Sequence, residues 1–285
     1  MKETPFWRRM LKHPMALIGA AALAMFALAA LVSFVYTPHN PREVDLDVQH
    51  QKPRLMDSDS DYWLGTDNVG RDILSRTMAG ARISLRVGIL IVVCAGLIGS
   101  LLGAVAGYAG GWIDNLLMRI LDIMMALPGI LLAIVIVTIL GPSLQNAMIA
   151  VTIVSIPLYA RVMRAETLRV KSQEFVEAAR ALGASDFRIL VRAILPNCAA
   201  PLIVQITLGM GTAILETAGL SYLGLGDEPS VPEWGRMIAE EFKYIREAWW
   251  TVIPPLASIS LTTLGFNLLG DGLRDILDPR LRGRS

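Results

Sequence analysis

The chain reads Glu177-Ala-Ala-Arg-Ala-Leu-Gly183-Ala-Ser-Asp-Phe-Arg-Ile-Leu-Val-Arg-Ala-Ile-Leu195-Pro196 between two long apolar runs, in its most basic loop. The first half predicts a helix, because Ala, Leu, Arg and Glu are strong helix formers. Gly183 then allows a sharp break, since glycine adopts backbone angles that other residues avoid. Ser185 or Asp186 can cap a second short helix, which Pro196 is expected to end. Two short helices joined by a bend have a shape suited to docking into a partner's groove.

The composition is that of a membrane protein. Of the 285 residues, 54% are hydrophobic and 18% charged, and the mean hydropathy is +0.51. Soluble domains carry about 25% charged residues, so this chain is short of polar surface. Cys94 and Cys198 fall within apolar runs, and we interpret them as buried small hydrophobes rather than a disulfide or a metal pair. The sequence predicts an integral, multi-pass, all-α membrane protein that binds no metal.

Six apolar runs are each long enough to cross a bilayer, which takes about 20 residues. They cover approximately 15–36, 87–109, 116–140, 144–163, 199–225 and 251–269. The first run has the cleavage-like triplet Ala27-Leu-Ala29, but it is too long for the apolar core of a signal peptide. With both termini inside, the inner segments hold 16 basic and 10 acidic residues, and the outer segments 10 and 14. This bias predicts six transmembrane helices with both termini in the cytoplasm.

The domain organisation follows from these spans. We expect a cytoplasmic N-terminus at 1–14, a first transmembrane helix at 15–36, a periplasmic segment at 37–82, a core of five helices at 83–273 and a cytoplasmic tail at 274–285. The core includes the cytoplasmic loop 164–196, called the bent loop below, and the periplasmic loop 227–250. Asp57-Ser-Asp-Ser-Asp61 is similar to a calcium loop but lacks its central glycine and terminal glutamate, so a solvated loop is favoured. Thr66 or Asp67 is predicted to cap a short amphipathic helix before the second span.

Two patterns inside the spans concern packing and charge. Gly99, Gly103 and Gly107 recur every four residues, which predicts a flat seam where another helix backbone approaches closely. Arg119 and Asp122 are three residues apart at the start of the third span. At that spacing they can neutralise each other near the membrane surface.

The chain lacks a nucleotide-binding P-loop. Its lysines are Lys2, Lys12, Lys52, Lys171 and Lys243, and none of them follows a glycine as the lysine of a P-loop must. We therefore predict that the chain does not hydrolyse ATP and is not an enzyme. If it drives active transport, the energy has to come from a partner, and the bent loop is the cytoplasmic element shaped to receive it.

The bent loop resembles the EAA loop of ABC importer permeases. That motif begins with E-A-A and has a G after three further residues. After nine more residues it has an apolar residue, one variable position and then L-P. Ala193 at the apolar position is a minor departure. By this resemblance the loop is the helix that couples the permease to its ATPase subunit. The residues assigned to coupling are Glu177, Ala178, Ala179, Leu182, Gly183, Ala184, Leu195 and Pro196.

Three further segments are similar to the dipeptide, oligopeptide and nickel class of these permeases, in particular to the C-type subunit. They are Trp63-Leu-Gly-Thr-Asp-Asn-Val-Gly-Arg-Asp72, Ser221-Tyr-Leu-Gly-Leu-Gly226 followed by Pro232-Glu-Trp-Gly235, and the closing segment from Phe266 to Pro279. The resemblance covers nearly the whole chain from Trp63 onward. It implies the MetI-like fold with six transmembrane helices.

The resemblance also implies the partners. A second, unlike permease subunit would complete a heterodimeric pore, two ATP-binding subunits would carry ATP and Mg, and an extracytoplasmic binding protein would deliver substrate. The chain itself would bind no cofactor and no nucleic acid, and would lie among lipids in the bacterial inner membrane. Dipeptides or short oligopeptides are the expected substrates, with glutathione and nickel chelates as open alternatives. The competing hypothesis is a self-sufficient secondary transporter or channel, which would show an inverted repeat and several intramembrane charges.

Residues of the translocation pathway are less sharply indicated. Glu216 is an acid deep within a span, and such groups usually face a cavity or a partner, although a structural hydrogen bond to a neighbouring helix is an equal alternative. We expect Glu216, Gln205 and Asn267 to line or border the pathway. Pro128 and Pro157 would break or kink their helices, either to shape gates or only for packing.

Overall fold

The computed structural model describes residue 10 and residues 13–226, 228 and 230–277, and the described part is helical apart from its loops. The helices are α1 Pro14–Val32, α2 Ile73–Ala109, α3 Gly111–Met125, α4 Gly129–Leu140, α5 Leu144–Lys171, α6 Glu174–Ala181, α7 Asp186–Ile189, α8 Ala199–Tyr222, α9 Trp234–Glu241 and α10 Ile253–Leu277. Five of these are long and apolar enough to cross a membrane, and α3 with α4 would make a sixth span. The predicted all-α architecture is therefore confirmed, and six spans are reached if the bent pair α3–α4 counts as one. Most of the predicted cytoplasmic N-terminus and the tail from 278 lie outside the described residues.

Helix α1 packs against the last helix, α10. It begins at Pro14, where His13 caps it by accepting a hydrogen bond from the backbone N–H of Ala16, and it ends four residues before the predicted boundary. A Cβ built on Gly19 would lie 2.6 Å from the carbonyl oxygen of Gly265, so the two backbones are in close contact. The first and last spans therefore form one packed pair.

Helix α2 is one continuous helix of 37 residues, about 55 Å long at the usual rise per residue. The predicted short amphipathic helix before the second span is thus part of the span's own helix. The predicted caps, Thr66 and Asp67, were wrong, because Asp72 accepts from the backbone N–H groups of Leu74 and Ser75. No proline interrupts α2. The turns of α2 that precede the predicted span, residues 73–86, pack against the loops at this end of the helix and remain helical.

The predicted glycine seam joins α2 to α5. A Cβ on Gly103 would lie 2.2 Å from the carbonyl oxygen of Ala160, and one on Gly99 would lie 2.7 Å from that of Ile156. Helix α5 runs on to Lys171 instead of ending near Met163, with Pro157 buried inside it. The basic residues expected after the span therefore lie on its last turns.

The third span is broken where Pro128 and Gly129 predicted a break. Helices α3 and α4 meet there at 88°. Proline lacks the N–H that a continuous helix needs and restricts the residue before it. The expected pairing of Arg119 with Asp122 was wrong, because the Asp122 carboxylate lies 2.5 Å from the guanidinium of Arg161 on α5.

Buried charges organise the end of the molecule that we call the head, formed by residues 37–76, which include the first turn of α2, and by residues 230–252. Arg71 donates to carboxylate oxygens of Asp67 and Glu240, each at 2.6 Å. Arg76 is 1% exposed, and its guanidinium lies 3.6 Å from those same two carboxylates. Glu241 is also buried, at 3.0 Å from His50. Asp67 and Arg71 of the signature between Trp63 and Asp72 thus take part in this ion network.

The signature Pro232-Glu-Trp-Gly235 anchors α9 to the spans. Glu233 caps α9 by accepting from the N–H groups of Gly235 and Arg236. Trp234 is fully buried and donates from its ring nitrogen to the carbonyl oxygen of Thr77 on α2. A Cβ on Gly235 would lie 2.3 Å from the carbonyl oxygen of Ala218, so only glycine fits against α8 there.

The two cysteines differ in environment. Cys198 is buried, as expected, whereas Cys94 is exposed. The prediction for Cys94 was wrong because an apolar run does not tell which face of a membrane helix packs inward. Cys94 lies on the face of α2 that other helices of this chain leave open.

Candidate functional site

The bent loop has the predicted helix, break and helix. Helix α6 ends at Ala181, and Gly183 follows with a φ of +81° in the left-handed region. The N–H of Gly183 donates to the carbonyl oxygen of Arg180, and the N–H of Ala184 donates to that of Ala179. These bonds satisfy carbonyl groups at the helix end, as glycine-terminated helices commonly do. The bend is therefore a built turn.

The second half of the loop departs from the prediction at Pro196. Ser185, one of the two expected caps, accepts from the N–H of Arg188 and starts α7. A π-helical turn, Leu190–Ile194, follows, and the short helix Leu195–Asn197 then carries Pro196 without ending the helical run. The wider π turn directly before Pro196 gives the proline ring room where an α-helix would clash with it.

One side of the loop is fixed to the spans. Val176, Ile189, Ile194 and Cys198 are buried against residues of α2 and α5. Burial also raises the pKa of the Cys198 thiol, which keeps it a neutral, unreactive group. This packed base holds the loop in one position.

The other side of the loop is exposed and apolar at its tip. Leu182 is 89% exposed and Phe187 is 77% exposed, and they flank Gly183. Of the residues assigned to coupling, Glu177, Ala178, Leu182, Gly183 and Pro196 are exposed, and Ala179, Ala184 and Leu195 are partly buried. Large apolar side chains exposed together on a folded bend are typical of a surface that another protein covers.

A contact that sequence reasoning missed ties the loop to the end of α2. The hydroxyl of Tyr108 donates to the carboxylate of Asp186 at 2.5 Å, and the ammonium of Lys171 donates to the Tyr108 carbonyl oxygen at 2.6 Å. The same ammonium lies 5.2 Å from the centre of the Tyr108 ring. Tyr108 thus joins α2, α5 and α7, and links the loop to two spans.

Helix α3 is attached to α5 beside this loop by two ion pairs. Arg164 donates two hydrogen bonds to the carboxylate of Asp114, at 2.5 and 2.6 Å. Arg161 pairs with Asp122 at 2.5 Å, and both of these side chains are about half exposed. Arg161 and Arg164 are therefore neutralised by α3, whereas Arg169 pairs with Glu166 within α5.

Three polar residues of α8 fall on one face. Gln205 and Glu216 are 11 residues apart, close to three turns of a helix, so they point in the same direction. Thr212 lies between them on that face and is exposed. Sequence reasoning overlooked Thr212, although the spacing of seven and four residues was visible. We call Gln205, Thr212 and Glu216 the α8 polar stripe.

A cavity of about 480 Å³ lies between α8, α9 and α10. Its walls are mainly apolar, but Ser260, Thr263 and Asn267 of α10 add polar groups along one side. The cavity thus includes Asn267, whereas Gln205 and Glu216 lie outside its lining. Pro128 and Pro157 do not line it either.

Four polar side chains on α8 and α10 lack partners in the described part of the chain, whereas the threonines Thr207, Thr217 and Thr263 donate to backbone carbonyls. Within it, the side chains of Gln205, Thr212, Glu216 and Asn267 make no hydrogen bond. The described part of the chain also includes no group of three His, Cys, Asp or Glu side chains placed to hold a metal ion. Unpaired polar groups are costly in hydrocarbon, so this face suits water, a substrate or a second protein better than lipid.

Comparison with known families gives two matches. Residues 99–283 match the model described as binding-protein-dependent transport system inner membrane component. Residues 5–53 match the model of the N-terminal transmembrane domain of oligopeptide transport permease C.

Two curated relatives span almost the whole chain. The dipeptide transport system permease protein DppC of Alkalihalophilus pseudofirmus is 46% identical over 97% of this chain and 89% of its own length. The glutathione transport system permease protein GsiD of Shigella dysenteriae is 44% identical over 98% of this chain and 90% of its own length.

Among solved structures, the inward-facing MetNI methionine ABC transporter contains a chain that superposes with a TM-score of 0.53. It is 21% identical and covers 69% of this chain and 95% of the other. At that identity the likeness concerns the fold alone.

Proposed function

The chain belongs to the family of binding-protein-dependent transport system inner membrane components, and we propose that it forms half of a heterodimeric pore for short peptides. The family resemblance drawn from the sequence motifs is confirmed, as is the MetI-like fold. The protein is a multi-pass inner membrane permease subunit of an ABC importer. Its relatives are transport components and not enzymes.

The observation that carries the coupling role is the exposed apolar tip of the bent loop. Leu182 and Phe187 flank a fixed turn whose base is buried, so the tip has a defined shape and an uncovered apolar surface. A groove in an ATPase subunit fits this surface, because helix-in-groove docking uses a few apolar anchors on a short helical element. Coupling then runs from the tip through Tyr108 to α2 and α5.

The substrate class follows from the relatives and agrees with the polar face. DppC is named for dipeptide transport and GsiD for glutathione transport, and both of these substrates are short peptide-like molecules. The α8 polar stripe and the polar side of the cavity offer such molecules hydrogen bonds across the membrane. An ion-driven secondary transporter is not favoured, because the matching family consists of components of binding-protein-dependent systems.

The orientation and the partners complete the proposal. The bent loop faces the cytoplasm and the head faces outward, with both termini inside, in agreement with the excess of basic residues on the loop side. A second permease completes the pore, two ATPase subunits carry ATP and Mg, and an external protein delivers substrate to the head. The chain itself holds no cofactor.

Reconstitution tests this function. The permease is placed in liposomes with its sister permease, the ATPase subunits and the binding protein, and uptake of radiolabelled dialanine is followed. We expect accumulation that requires ATP and the binding protein, and none with this chain alone under a proton or sodium gradient. Accumulation by the chain alone would overturn the proposed function.

A further inference from the structure

Glu216 is a carboxylic acid in the span α8, two turns before its end at Tyr222. Its side chain is partly buried, and within the described residues it makes neither a hydrogen bond nor an ion pair. An ionised carboxylate at such a position needs water or a positive charge beside it. A positive charge beside Glu216 would belong either to a basic residue of this chain or to another molecule.

Within the described residues, no basic side chain forms an ion pair with Glu216. Arg164 is engaged by both oxygens of Asp114, and Arg161 is engaged by Asp122. Both arginines lie toward the bent loop on α5, whereas Glu216 lies toward the head end of α8. Arg82 and Arg86 lie at the head end of α2 but do not pair with Glu216 either, so a counter-charge for this carboxylate has to come from another molecule.

The face around Glu216 indicates what kind of molecule this is. Thr212 lies on the same face about 6 Å further along the helix, and Gln205 follows about 10 Å beyond Thr212. An extended peptide spans at most about 3.5 Å per residue, so a dipeptide reaches from Glu216 to Thr212 but not to Gln205. The Glu216 carboxylate can pair with the terminal ammonium group of a peptide. The Thr212 hydroxyl, one turn away, can hydrogen-bond to the peptide bond that follows.

We propose that Glu216 is the subsite for the terminal ammonium group of a peptide in transit, with Thr212 as the next hydrogen-bonding position. This inference rests on the proposed import of short peptides. A substrate arriving from the head meets Glu216 first, then Thr212 and finally Gln205. Because the neighbours of Glu216 on this face are neutral, the subsite selects for the ammonium group and tolerates different peptide side chains.

The subsite also distinguishes between the substrate classes that the sequence left as alternatives. Dipeptides and glutathione each carry an ammonium group that can pair with a carboxylate. An anionic metal chelate has no such group, and the Glu216 carboxylate would repel it. The structure therefore favours peptides over anionic nickel chelates.

The test uses the complete reconstituted transporter and dialanine as the probe, with uptake measured per ATP hydrolysed. Glu216→Gln keeps the size of the side chain and removes the charge, and we expect it to lower this ratio about tenfold or more. Glu216→Asp keeps the charge and should recover the ratio to within about threefold of the wild type. Asp271→Asn, at an exposed acid near the end of α10, is the matched control and should retain the wild-type ratio.

A wild-type ratio in Glu216→Gln would overturn the subsite while leaving the proposed function intact. An equal loss in Glu216→Gln and Glu216→Asp would also overturn it, since a packing role depends on size rather than charge. Failure of the wild-type complex to move dialanine would overturn the proposed substrate class together with the subsite. The two proposals are thereby separated.

Discussion

The two ends of the molecule are built on opposite principles. The head is held by buried charges, in which Arg71 and Arg76 are enclosed with Asp67 and Glu240. The bent loop is held by apolar packing at its base and ends in an uncovered tip of Leu182 and Phe187. Buried ion pairs favour one arrangement strongly, because losing either partner strands a charge. The head is therefore a fixed frame, and the loop is a surface made complete by a partner.

The largest effect on stability is expected in the head. Arg76→Ala would leave Asp67 and Glu240 with less compensating charge in a buried site, at a cost of about 3–5 kcal/mol. We expect a clearly lower unfolding temperature of the purified complex in detergent. Arg246→Ala, at an exposed position of the head, serves as the control and should leave that temperature unchanged. Equal unfolding temperatures for both variants would show that the network does not hold the head.

Two glycines with the same backbone angle sharpen the comparison. Gly70 has a φ of +78° and Gly183 a φ of +81°, but a Cβ on Gly70 would lie 1.7 Å from the carbonyl oxygen of Asp45, while Gly183 has open space. Gly183→Ala should therefore cost only the backbone strain of about 1–2 kcal/mol. Gly70→Ala should cost more, because the head must also move apart. The unfolding temperatures of the two variants measure the difference, and similar values would contradict this view of the head.

A smaller effect is expected at the contact between α2 and the bent loop. Tyr108→Phe removes the hydrogen bond to Asp186, which contributes about 0.5–1.5 kcal/mol at most. We expect little change in unfolding temperature but less substrate moved per ATP hydrolysed, because the loop is tied less firmly to α2. Tyr36→Phe, at an exposed position after α1, is the control. An unchanged transport ratio in Tyr108→Phe would remove this residue from the coupling route.

The smallest effect on stability should come with the largest loss of function. Leu182 is 89% exposed, so Leu182→Asp should change the free energy of unfolding by no more than about 0.5 kcal/mol. It places a charge in the proposed interface and should abolish copurification of the ATPase subunits. Leu55 in the head is 90% exposed, and Leu55→Asp makes the same chemical change at the other end. Retained copurification with Leu182→Asp would place the docking surface elsewhere.

Local sequence carried much of this architecture. Apolar runs located the spans, Pro128 with Gly129 located the break, and Gly183 located the bend. Each of these features is decided by residues close together in the chain. The glycine seam of α2 was also predictable, because its period of four residues places three glycines on one face.

The remaining features depend on contacts between distant residues. The hydrogen bond from Tyr108 to Asp186 joins positions 78 residues apart, and Asp122 pairs with an arginine 39 residues away rather than with nearby Arg119. The first turns of α2 were expected as a separate short helix, and their continuity with the span depends on the head packing against them. Exposure of Cys94 likewise depends on which helices surround α2.

Cross-linking in native membranes tests the central claim most directly. In a background carrying Cys94→Ser and Cys198→Ser, Leu182→Cys places a thiol at the tip of the bent loop, and Leu55→Cys places one at the head. We expect a short thiol cross-linker to join the loop variant to an ATPase subunit and to leave the head variant unattached to it. Attachment of the ATPase subunit through the head, with none through the loop, would contradict the account.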